Sequence, residues 1–148
     1  MHESHRAVEI LLVEDNPGDV RLTQEAFLEG KVWNNIHVAK DGVEAISFLK
    51  KRDNFAKAPR PDIILLDLNL PKKNGREVLA EIKSDNTLKS IPVIILTTSQ
   101  AEKDITESYE LNANCFITKP VDLDDFFRVI KTLQEFWLKI VKLPPNTD

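Results

Sequence analysis

The chain has 148 residues, 42% hydrophobic and 30% charged, the size and balance of one globular domain with its own core. A net charge of −4 and a pI near 5.4 argue against nucleic acid, whose binding needs a clustered basic face, so Arg60, Lys72, Lys73 and Arg76 read as solvated surface. The stretch Met1-His2-Glu3-Ser4-His5-Arg6 has no apolar signal region, no apolar run reaches membrane length, and the lone Cys115 cannot close an internal disulfide, so a cytoplasmic protein with no membrane partner is expected.

Val8 to Val13 is the first of several short runs rich in Ile, Val and Leu that read as buried parallel strands, and it ends at Glu14 and Asp15. Asn16-Pro17-Gly18-Asp19 reads as a turn into a helix that carries Val20, Ala26 and Phe27 and stops near Gly30. Ile36 to Ala39 is a weaker strand, and Asp41-Gly42 leads into a helix with Val43, Ile46 and Leu49 at helical spacing. Arg52 to Pro61 is a polar, proline-bearing loop, longer than most such connections: either a recognition element or, more simply, a tolerated insertion. Ile63 to Leu66 is the next strand and ends at Asp67; a helix over about 75–84 follows, with Val78, Leu79 and Ile82 inward. Ile91-Pro92 introduces the strand Val93 to Leu96, which ends at Thr97. The helix expected next, about 101–111, is mostly polar, with Ile105 and Tyr109 or Leu111 for the core, so it is weakly held and free to shift. Phe116-Ile117 runs through Thr118 to Lys119-Pro120, and a last helix spans 123–141.

This βα alternation predicts an α/β fold in one domain, 1–148, with its core over 8–142 and short tails. In a parallel sheet every strand points its C-terminal end the same way, and ligands bind beyond those ends. The residues brought there are three carboxylates, Glu14, Asp15 and Asp67, with the hydroxyl of Thr97 and the ammonium of Lys119. Two carboxylates about 5 Å apart repel by roughly 3 kcal/mol at an effective dielectric of ~20, which a hard divalent cation relieves. Mg²⁺ prefers such oxygen ligands; Asp15, Asp67 and the backbone carbonyl of Asn69 are the expected direct ligands, with Glu14 acting through a water. Beside that ion, Asp67 can attack a phosphoryl group and form an acyl phosphate, while Mg²⁺, Lys119 and Thr97 each hold one equatorial oxygen.

The blocks Leu11-Leu12-Val13-Glu14-Asp15-Asn16, Ile64 to Pro71, Asn74-Gly75, Pro92 to Thr97 and Thr118-Lys119-Pro120 resemble the receiver domain of two-component response regulators over about residues 8–142. The resemblance implies a flavodoxin-like five-stranded parallel sheet flanked by five helices, Asp67 as phosphoacceptor, a sensor histidine kinase as donor and dependence on Mg²⁺. It also selects Thr97 over the adjacent Thr98 and places Phe116 at the position of a switch aromatic that turns inward as the threonine moves. Such a protein is not a turnover enzyme; it catalyses only its own phosphorylation and dephosphorylation. A narrower likeness, in Leu70 to Lys83, Leu96-Thr97-Thr98-Ser99, Ser108 to Leu111, Asn114-Cys115 and Phe136-Trp137-Leu138, is to the single-domain regulators that partner phytochromes. With no output domain in the 148 residues, output is expected through an unidentified downstream protein.

Two other classes stay open: an aspartate-nucleophile phosphatase, which would need an acid where Asn69 stands, and a receiver-shaped interaction module without phosphorylation. The last helix adds an expectation of its own. At 100° per residue its apolar positions cover an arc of about 200°, twice what a helix on a sheet needs, so the surplus edge Val129, Leu133, Phe136 and Ile140 predicts a homodimer or a partner groove.

Overall fold

Why each helix starts where it does is set by a polar residue at its head. In the computed structural model, which describes residues 7–29, 33–97, 115–119 and 124, Asn16 accepts the Val20 N–H on its carbonyl and the Asp19 N–H on Oδ1, both at 3.0 Å. Helix α1, Pro17–Glu29, therefore opens with proline at its first position, where no backbone donor is missed, and the expected turn is already helix. Asp41 caps α2, Gly42–Leu49, by accepting the Glu44 N–H at 2.8 Å. A capping box between Asn74 and Glu77 opens α3, Gly75–Ser84.

Strands β1 (Val8–Val13), β2 (Asn34–Ala39), β3 (Ile63–Asp67), β4 (Val93–Thr97) and β5 (Cys115–Thr118) pair in parallel in the order β2-β1-β3-β4-β5. Alternate residues face opposite sides. Val8, Ile10, Leu12, Ile63, Leu65, Ile94, Leu96 and Ile117 pack with Phe27 of α1, whereas Leu11, Val13, Ile64, Leu66, Val93 and Ile95 pack with α2 and α3. Helices thus cover both faces of the sheet, which is why β1, β3 and β4 are apolar without a polar alternation. At the edge of this sheet, β2 is only partly buried, which accounts for its weaker apolar signal.

The expectation that Val78, Leu79 and Ile82 point inward holds, since all three are fully buried. Val43 departs from its expected place: it is 49% exposed, while Ala45, Ile46, Phe48 and Leu49 are buried. The cap at Asp41 sets the phase of α2 so that Gly42, not Val43, begins the inward stripe. The 52–61 loop is fastened to the body. Phe55, in a short 3₁₀ turn at Asp53–Phe55, stacks near Phe48 with ring centroids 5.5 Å apart, and the Arg60 guanidinium donates to the Thr87 carbonyl and to Ser90 Oγ. The expected helix over 101–111 lies outside the described residues, as does that over 123–141 apart from Asp124, which is helical. Among the described residues no helix is long and apolar enough to cross a membrane.

Candidate functional site

Strand order reverses at β1: β2 lies on one side of it and β3 on the other, and a crevice opens beyond the carboxyl ends of two such strands. Glu14 and Asp15 follow β1 into that crevice, and Asp67 is the last residue of β3. The register pairs Val13 with Leu66, so the acidic ends are adjacent rungs of one ladder. Carboxylate oxygens of Glu14, Asp15 and Asp67 all lie within 4.8 Å of one another, Glu14 and Asp67 buried and Asp15 exposed.

Lys119 follows β5 and brings its ammonium into the same space, 3.0 Å from Glu14 Oε1, 3.0 Å from Asp19 Oδ2 and 3.3 Å from Asp67 Oδ2. Glu14 Oε2 accepts the Asn16 N–H at 3.2 Å, and Asp67 Oδ1 accepts the Asn69 N–H at 3.1 Å. The Asp67 carboxylate is therefore oriented from two sides, by a backbone donor on one oxygen and the lysine on the other. Two glycines allow the surrounding backbone to close on it. A Cβ on Gly75 would stand 2.4 Å from the Asp67 carbonyl oxygen, and one on Gly42 would stand 1.9 Å from that of Lys73. Lys72, between them in sequence, takes a positive φ of 64°, the left-handed region a bulky side chain seldom adopts.

One ammonium stands among four carboxylates here, and Glu14 is the most deeply buried of them. Burial pushes the Glu14 carboxyl up to about 7, reinforced by the charge of Asp67 and opposed by the hydrogen bond from Lys119. For Lys119, burial acts to lower the value, but the bonds to Asp19 and Glu14 and the charge of Asp67 outweigh it and hold the ammonium firmly protonated. A site of oxygen donors with excess negative charge, walled by buried carboxylates and open at Asp15, suits a hard divalent cation.

The sequence-expected residues Glu14, Asp15, Asp67 and Lys119 are thus brought together. Asn69 is exposed just past Asp67. Thr97 ends β4 in register with Thr118, and its side chain lies outside the described residues. Phe116, opposite Ile95, packs half-buried against the α2–α3 core. The expected interface residues Val129, Leu133, Phe136 and Ile140 lie outside the described residues. What the sequence reading missed is Asp19, which it assigned to a turn; an acid in the first turn of the helix that follows an acidic strand end was the available signal.

The pattern of the response regulator receiver domain family matches residues 10–131, a span that holds every residue of this site. The chain is 48% identical over 142 residues to response regulator Rcp1 of Synechocystis sp., covering 96% of this chain and 97% of the relative. The crystal structure of the Mn²⁺-bound form of Rcp1 has a TM-score of 0.71 to this chain, covering 93% of it and 99% of that chain. The phosphorylated cyanobacterial phytochrome response regulator RcpA is 52% identical, with a TM-score of 0.74, covering 94% of this chain and 99% of that one. The bacteriophytochrome response regulator AtBRR is 43% identical, with a TM-score of 0.84, covering 89% and 96%. Strand order, an acidic crevice between β1 and β3, a lysine reaching it from β5 and the match over 10–131 agree: the chain belongs to the response regulator receiver domain family.

Proposed function

We propose that this protein, as one receiver domain over 1–148, is a stoichiometric phosphoacceptor that takes a phosphoryl group from a sensor histidine kinase onto Asp67 and so switches a protein-binding face. The observation that carries the reading is the buried Asp67 carboxylate at a strand end, held by the Asn69 N–H at 3.1 Å and facing the Lys119 ammonium at 3.3 Å. A carboxylate oxygen of Asp67 attacks the phosphorus of the kinase phosphohistidine; the P–N bond breaks as the P–O bond forms, and the imidazole nitrogen keeps the electron pair. Lys119 offsets charge that builds on the phosphoryl oxygens, and the Thr97 hydroxyl takes another oxygen. As Thr97 is drawn in, Phe116 follows, and the neighbouring surface changes its affinity for a partner by population shift.

Asp15, Asp67 and the Asn69 backbone carbonyl would hold Mg²⁺ directly. Glu14, whose oxygens accept hydrogen bonds from Lys119 and from the Asn16 N–H, would act through a water. When bound, the ion supplies charge neutralisation at the transferring phosphoryl group. The Mn²⁺-bound form of Rcp1 supports a divalent cation in this family, and the phytochrome regulators RcpA and AtBRR favour a phytochrome as the upstream kinase. Asn69, standing where a phosphatase of this chemistry would carry an acid, disfavours turnover and leaves a signal that lasts. The remaining proposals are a cytoplasmic location, a downstream protein as target, and a homodimer or partner groove along Val129, Leu133, Phe136 and Ile140.

Intact-mass analysis after incubation with a small-molecule phosphodonor tests the reading. Wild type with Mg²⁺ should gain one phosphoryl group, and wild type without Mg²⁺ or an Asp67→Asn variant should gain none. A wild type that stays unmodified under every condition would leave a receiver-shaped binding module.

A further inference from the structure

Lys119 starts far from the group it serves. It follows β5, which β4 separates from β3, and at ~4.8 Å between strands its backbone is on the order of 10 Å from the β3 end, so the four-carbon stem must be drawn across the sheet top toward β1. Glu14 and Asp19, both on the β1–α1 side, supply that attraction, each 3.0 Å from the ammonium, closer than the 3.3 Å to Asp67. The three donors of the ammonium are then fully used.

The three acids differ in what else they must do. Glu14 and Asp67 belong with Asp15 to the group whose oxygens lie within 4.8 Å of one another, and Asp19 does not. A cation there competes with Lys119 for Asp67 directly and for Glu14 through a water, and repels the ammonium as well. Asp19 is the partner that remains. Its side chain is 30% exposed on the first turn of α1, against 1% for Glu14 and 5% for Asp67, so it sits on the solvent side of the cluster. Among the described residues its carboxylate pairs with no other cation.

We propose that Asp19 is a positioning residue, which holds the Lys119 ammonium over the start of α1 so that the acidic crevice can accept a divalent cation while the lysine stays within reach of Asp67. Lys119 and the cation compete for Glu14 and Asp67, and Asp19 lessens the competition by giving the ammonium somewhere else to bind. This inference rests on the proposed divalent-cation site.

Mg²⁺ binding by calorimetry, in Asp19→Asn and in Asp19→Ser, each compared in the wild-type and the Lys119→Met backgrounds, provides the test. Losing Asp19 should weaken Mg²⁺ binding on the order of fivefold when Lys119 is present, the size of a partly exposed charge pair. In the Lys119→Met background the same substitution should change it by less than about twofold, and Asp19→Glu should restore much of the wild-type affinity. An equal loss in both backgrounds would mean that Asp19 acts through its own field and not through Lys119, and no loss in either would remove it from the site; both overturn the inference while leaving the cation site intact. Wild type that binds no Mg²⁺ overturns the proposed cation site and this inference together.

Discussion

Gly75→Ala should disturb the phosphoacceptor through its backbone, without altering its carboxylate. The added methyl would lie 2.4 Å from the Asp67 carbonyl oxygen, 2.5 Å from Leu68 Cα and 3.0 Å from the Leu68 oxygen. Ordinary contact begins at 3.4 Å, so backbone must retreat by about 1 Å, and no flexible side-chain tip can yield instead. Retreat also strains the bond from the Gly75 N–H to the Leu68 carbonyl, 3.0 Å long, which closes the loop after β3. Overpacking of this kind costs about 1–3 kcal/mol. Alanine has the better helix propensity by up to about 1 kcal/mol, least at a first helical position, so a net loss of roughly 2 kcal/mol is expected. That corresponds to about 5 °C in the thermal midpoint. Because a displacement of about 1 Å at a reacting carboxylate is costly, phosphorylation from a small donor should slow by on the order of tenfold or more. Gly18→Ala is the milder comparison: its methyl meets only Asn16 Oδ1 at 3.2 Å, so the side chain that caps α1 must give by a few tenths of an ångström and no backbone moves, and the net cost should stay below about 1 kcal/mol with phosphorylation unchanged. Circular-dichroism melts and phosphorylation time courses of both variants decide it. A Gly75→Ala protein as stable and as reactive as wild type would refute the close-approach argument.

Because burial raises the Glu14 carboxyl from 4.5 to about 7, the folded metal-free chain binds more protons than the unfolded one across that interval, and stability should fall as pH rises through it, by up to about 3 kcal/mol. Urea midpoints at pH 5 and pH 8 should show the fall in wild type, not in Glu14→Gln, and saturating Mg²⁺ should offset it; a wild-type midpoint that rises instead would contradict the assignment. Lys119→Met leaves Glu14 and Asp67 without their cation and should cost about 3 kcal/mol in metal-free protein, much of it recovered with Mg²⁺; midpoints equal to wild type would show that the cluster is not held by the lysine. Phe55→Ala removes the ring that packs on Phe48 and should cost about 2 kcal/mol in urea unfolding with phosphorylation unchanged; no change in stability would return the 52–61 loop to a mere insertion.

The architecture and the chemical residues of the site were legible in the sequence because both are local signals. A strand buried on both faces must be a short apolar run, and a residue that ends such a run is necessarily at the sheet's carboxyl edge, so Glu14, Asp15, Asp67 and Lys119 could be placed at one end before any contact was known. The flavodoxin-like five-stranded parallel sheet came from the family resemblance, and the parallel pairing of all five strands bears it out. In α2, Ile46 and Leu49 are buried as their spacing implied, while Val43 is not, because the cap at Asp41 sets the first turn so that Val43 faces out and Gly42 in.

Other features belong to the tertiary structure alone. That Gly42 and Gly75 are needed for close approach follows from where the Lys73 and Asp67 carbonyls come to lie, and no spacing in the chain records it. The Arg60 guanidinium anchors its loop on Thr87 and Ser90, across some 27 to 30 residues of sequence. Asp19 meets Lys119 across 100 residues, and in sequence it is only an acid at a helix start. Sequence by itself determined which groups stand at the rim of the sheet, because burial and periodicity act along a few neighbouring residues. Which carboxylate holds the lysine was decided only in the tertiary structure, because that balance depends on distances and desolvation that exist once the chain has closed on itself.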